Sequence, residues 1–79
     1  MKRNIKEFII EKINKLGEIK EEYQIQEIVE SVRNIFKTKC EYFYAGGFDS
    51  PGYDIDCYTI AFLDDKGDIQ GVSVNIERY

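Results

Sequence analysis

The chain has 79 residues, 43% of them hydrophobic and 33% charged, with one proline, two cysteines and neither histidine nor tryptophan. Its net charge of −4 is held unevenly: residues 1–39 carry nine Lys/Arg against seven Asp/Glu and stand at +2, whereas residues 40–79 carry two against eight and stand at −6. A chain of this length is expected to fold as one domain, burying about 60–65% of its unfolded surface, and without histidine it lacks the side chain best suited to proton transfer and metal ligation near neutral pH.

The first residues, Met1-Lys2-Arg3-Asn4-Ile5-Lys6, are basic, but the apolar run Phe8-Ile9-Ile10 is cut short by Glu11, too soon for export or membrane insertion. A cytoplasmic location is therefore expected, with no membrane association and with Cys40 and Cys57 as free thiols in a reducing compartment. Twelve isoleucines, and eight lysines against three arginines, suggest a low-GC bacterial or phage genome.

Asn4-Ile5-Lys6-Glu7 has the spacing of a capping box, and Ile5, Phe8, Ile9, Ile13 and Leu16 share a narrow helical arc that ends before Gly17. A first helix is predicted over residues 5–16. A second follows from the i, i+3, i+4, i+7 stripe of Ile25, Ile28, Val29, Val32, Ile35 and Phe36, its start falling between Glu21 and Gln26. Glu18, Glu21 and Glu22 near its start and Lys37 and Lys39 at its end complement the helix dipole.

After Lys39 the period changes to two. Strands are predicted over 40–44, 55–63 and 69–77, with residues 64–68 closing a hairpin in which Gly67 takes the left-handed position. If Asp64 pairs with Asp68, Tyr58 faces Val74 and Ile60 faces Val72, which gathers Tyr58, Ile60, Phe62, Val72, Val74 and Ile76 on one face for both helices to cover. The opposite face, with Cys57, Thr59, Ala61, Leu63, Ile69, Gly71, Ser73 and Asn75, is then a candidate for self-association or partner binding. Residues 45–54 read as one long loop containing Gly46-Gly47 and a type II turn at Pro51-Gly52. Pairing Tyr44 with Tyr53 would bring Cys40 opposite Cys57, the one arrangement that favours a disulfide. The expected fold class is α+β, two N-terminal helices packed on one face of a three-stranded antiparallel sheet.

No constellation specifies a chemistry. Asp54 with Asp56, and Asp64 with Asp65 and Asp68, lack the spacing of a calcium loop, and a cysteine nucleophile would need a base that the sheet half does not supply. No enzyme activity, cofactor or metal is expected. Tyr42, Phe43, Tyr44, Phe48, Tyr53 and Tyr58 offer stacking planes, yet phosphate binding rests on Lys and Arg, so direct nucleic-acid binding by the acidic half is not expected. The candidate partner-binding residues are Phe48 and Tyr53 as aromatic anchors within an anionic patch of Asp49, Asp54, Asp56, Asp64, Asp65 and Asp68.

The expected function is that of a small acidic inhibitor or decoy that binds a basic, nucleic-acid-handling protein. In size and charge the chain is similar in kind to the anti-restriction and anti-CRISPR proteins of phages and plasmids, an analogy that assigns no residue a role. An immunity protein or antitoxin, and a structural homodimer, are the alternatives.

Overall fold

A computed structural model describes residues 4–78, the side chains of Ser50, Tyr53 and Arg78 apart. The order is α1 (Ile5–Leu16), α2 (Glu22–Phe36), β1 (Cys40–Ser50), β2 (Tyr53–Leu63) and β3 (Ile69–Arg78), and the strands form one antiparallel sheet in the order β1-β2-β3. The class is α+β, with the helices first. No helix among the described residues is long and apolar enough to cross a membrane.

Local chemistry sets the helix ends. The Asn4 side chain accepts from the Lys6 and Glu7 amides, at 2.8 and 3.3 Å, and so starts α1. Gly17 ends it at φ 75°, its amide reaching the Ile13 and Asn14 carbonyls. At the head of α2 the Gln24 side chain turns back to accept from the Lys20 and Glu21 amides, at 2.8 and 3.0 Å, which fixes the start at Glu22 and leaves Tyr23 on the solvent side. Ile19, between the helices, is buried.

The core joins Phe8, Ile9, Ile25, Ile28, Val29 and Val32 to Cys40, Tyr58, Ile60, Phe62, Val72, Val74 and Ile76. All of these sheet residues except Cys40 belong to the face picked out by the two-residue period; Cys40 joins them because it pairs with Phe62. α1 lies along β3 and α2 along β1, and the Phe8 and Phe36 rings meet edge-on at 5.3 Å between the helices. Two members of the predicted stripes lie outside the core: Leu16, in the last turn of α1, and Ile35, 59% exposed beside the C-terminus of α2.

The register of β2 with β3 is the expected one, Tyr58 opposite Val74 and Ile60 opposite Val72. That of β1 with β2 is not. β1 continues past Tyr44 through both glycines to Ser50, so residues 45–54 are a hairpin of two strands with only Pro51 and Gly52 between them. Tyr44 pairs with Tyr58 rather than Tyr53, Cys40 with Phe62, and Cys57 with Gly46. The cysteines are free, about 17 Å apart along the sheet at the usual rise per residue and on opposite faces, beyond the reach of a disulfide.

Burial pushes the Cys40 thiol up, with Arg33 partly opposing this. A thiol reagent is therefore expected to modify Cys57 promptly and Cys40 only through opening of the fold, at least about 100-fold more slowly. Equal rates, read by mass spectrometry of the labelled peptides, would contradict the placement of Cys40.

Candidate partner-binding face

The ladder between β1 and β2 slips by one residue between Tyr44 and Gly46, leaving Ala45 as a bulge and Gly46 at φ 124°, a conformation that favours glycine. The slip reverses the alternation of side chains along β1. Before it, even-numbered Tyr42 and Tyr44 share the helix-side face with Tyr58, their rings 6.1 and 5.6 Å from the Tyr58 ring. Beyond it, even-numbered residues face the other way. Phe43, opposite Thr59, and Phe48, opposite Ile55, consequently lie on one and the same face, each 53% exposed.

That face is the one the helices leave open. Along it run Glu41, Phe43 and Phe48 from β1, Ile55, Cys57, Thr59, Ala61 and Leu63 from β2, and Ile69, Gly71, Ser73, Asn75 and Glu77 from β3. Ile69 is 78% exposed. Of the sheet half's ten charged residues only Lys66 and Arg78 are basic. The charged residues along this face, Glu41 and Glu77, are both acidic.

The six predicted acids do not form one patch. Asp49 and Asp54 are cross-strand neighbours at the β1–β2 end, exposed and on the helix-side face, and Asp56, half-buried between Gly47 and Ile76, shares that side. Tyr53 opens β2 opposite Ser50 at the same end. Asp64, Asp65 and Asp68 occupy the β2–β3 turn, about 30 Å away at the rise of an extended strand. Phe48 lies near the first group and on the opposite face from Asp49. The aromatic residues divide as well, Tyr42, Tyr44 and Tyr58 from Phe43 and Phe48, so they present no single stacking platform.

Asp64 is committed to its own loop. Its Oδ1 accepts from the amides of Lys66 and Asp68, at 2.9 and 2.8 Å, and its Oδ2 from Gln70 Nε2 at 3.1 Å. The bond from Asp68 N is the first cause that holds its carboxyl below the ordinary aspartate value. A carboxyl lowered on folding stabilises the fold above its unfolded pKa, and that contribution is lost as pH falls through the folded pKa. The stability advantage of the native chain over Asp64→Asn is thus expected to be full at neutral pH and to shrink below about pH 4; denaturant titrations that show a constant difference would contradict this.

Among the described residues no group of three or more Cys, Asp or Glu is placed to hold a metal ion. An open groove of about 860 Å³ runs where the start of α1, the end of α2 and the β2–β3 turn meet, lined by Lys6, Phe36, Lys37, Asp65 and Lys66 among others. Its lining mixes both signs of charge with aliphatic carbon and carries no reactive set. The chain matches no family model, no curated protein and no solved structure.

Phe43 is the ring on the open face that the pattern of the sequence does not single out as an anchor. The signal for it was Gly46-Gly47, because glycine inside a β-pattern marks a bulge, and a bulge changes which residues share a face.

Proposed function

We propose that the protein acts by binding another protein through the open face of its sheet, as a small acidic inhibitor or decoy of a basic, nucleic-acid-handling protein. The observation that carries this reading is the bulge at Ala45, which sets Phe43 and Phe48, about 13 Å apart at the usual strand rise, on one face that no helix covers. Large exposed rings on a sheet surface serve as anchors, since interfaces are enriched in aromatic side chains and concentrate their energy in a few of them. The acids divide the remaining work. Asp49 and Asp54, on the helix side of the sheet near one end, and Asp65 and Asp68 in the turn at the other, supply the negative field that speeds encounter with a basic target and selects its sign.

The test is retention of proteins on the immobilised chain from a host lysate at low and high salt. The expected result is a basic, nucleic-acid-handling protein that is held at low salt and released as salt screens the acids. Retention of acidic or neutral proteins alone, unaffected by salt, would overturn the reading.

A further inference from the structure

The sheet has two edges, and only one is closed to further pairing. On β1 the ladder is broken at Ala45, and at its start the Cys40 carbonyl is occupied by Arg33 Nε at 2.7 Å. β3 pairs with β2 along its whole length without a shift. The phase of that ladder follows from its turn: the Asp64 amide donates to the Asp68 carbonyl at 2.9 Å, so Gln70, Val72, Val74 and Ile76 bond to β2. The backbone N–H and C=O groups of Ile69, Gly71, Ser73 and Asn75 therefore point out of the sheet. Edge strands in proteins are normally protected by lysine, proline, a bulge or an inward charge. Residues 70–75, Gln-Gly-Val-Ser-Val-Asn, contain none of these.

A second feature lies along the same side. α1 runs over β3 and turns Phe8 and Leu16 toward α2, Phe8 onto Phe36 and Leu16 into a cleft with Gln24 and Ile28. Ile10, 200° around the helix from Phe8 at 100° per residue, therefore lies on the flank away from α2, where it is 40% exposed. The unpaired strand edge and the helix flank that carries Ile10 between Lys6 and Asn14 form one side of the molecule, about 33 Å long by strand rise. With the thinnest dimension of the molecule at 17 Å, such a side offers several hundred Å², the order that one partner in a specific dimer buries.

We propose that β3 pairs antiparallel with β3 of a second copy about a two-fold axis at Ser73, giving a six-stranded sheet in the order β1-β2-β3-β3-β2-β1. A second copy fits this edge better than a basic partner does, because its middle offers no charge to attract one. Self-pairing sets Ser73 against Ser73 and Gly71 against Asn75, opposes no like charges at the centre, and joins outward-pointing groups to outward-pointing groups. The two-fold axis leaves all four helices on one side, brings the two Ile10 flanks together, and makes the open faces continuous. Two sets of Phe43 and Phe48 then lie on one surface, so a partner with repeated sites would be held bivalently. The dimer itself does not depend on there being such a partner.

Sedimentation equilibrium of the full chain across micromolar to sub-millimolar concentration tests this. The expected result is a mass that rises from 9.3 kDa to twice that value. Ser73→Pro removes an outward amide that β2 does not use, and Ser73→Lys sets two like charges at the axis; each is expected to weaken association at least tenfold while the circular dichroism is retained. A native chain that stays monomeric throughout would overturn the proposal, as would a dimer that persists unchanged in folded Ser73→Lys. Should Ser73→Pro not fold, Ser73→Lys decides alone, since Ser73 is exposed on the open face.

Discussion

Ile60→Ala is expected to lower the free energy of unfolding by about 4 kcal/mol, near the top of the range for aliphatic truncation in a core. Ile60 is fully buried, at the middle of the central strand, flanked by Tyr42 on one side and Val72 on the other and packed into the cluster that holds Ile9, Ile25 and Val29. Neighbours on both strands and the helices above leave the site little freedom to collapse around the lost carbons. A chain of this length holds only about 4–12 kcal/mol in all. The variant is therefore expected to melt roughly 15–25 °C lower, or to be unfolded at room temperature. Thermal circular dichroism measures this, and a loss below about 1 kcal/mol would mean that the helices do not pack on this face of β2.

Gly47→Val is expected to cost about 3 kcal/mol, the upper end for overpacking, although glycine to a β-branched residue normally suits a strand. A Cβ on Gly47 would lie 2.5 Å from the Ile55 carbonyl oxygen and 2.8 Å from the Tyr44 hydroxyl. Tyr44 can swing aside, but the Ile55 carbonyl belongs to the backbone of β2 and moves only if the hairpin opens. Gly71→Ala provides the comparison: its Cβ would meet nothing closer than the Thr59 Cγ2 at 3.3 Å, and the effect is expected to stay within about 1 kcal/mol. Urea unfolding of both variants distinguishes a specific close approach at Gly47 from a general intolerance of side chains in the sheet. Equal, small losses would contradict the observed register beyond the bulge.

The helical half was readable because its signals are local. Asn4, the apolar arc and Gly17 delimit α1 at the predicted residues, and Gly67 with the Asp64–Asp68 pair fixes the β2–β3 register on which the core face depends. Ile35 and Leu16 fit the helical period but stand where the sheet has no partner for them, a fact of tertiary geometry that periodicity does not contain. The hairpin from β1 to β2 was misread for a physical reason. Glycine is disfavoured in strands because it contributes no packing and costs backbone entropy, so Gly46-Gly47 read as a loop; in the fold Gly46 supplies the positive φ of the bulge and Gly47 the space that Tyr44 and Ile55 require. The disulfide geometry depended on that loop and goes with it, whereas the acids are divided by the length of β2, which holds Asp54 and Asp64 at opposite ends. What remained hidden in the candidate site was that Phe43 and Phe48, five residues apart, share a face, which only a one-residue slip can bring about.

The most direct test of the account is the affinity of the retained partner for three chains, measured by titration calorimetry: native, Phe43→Ser with Phe48→Ser, and Asp49→Asn with Asp54→Asn. The open face predicts that loss of both rings weakens binding by a factor of about 1,000, as two anchors of about 2 kcal/mol each require, while the aspartate pair on the other side costs only a few-fold and chiefly at low salt. Undiminished affinity without the rings, or collapse of binding on loss of the two aspartates, would contradict it and move the site to the β1–β2 turn.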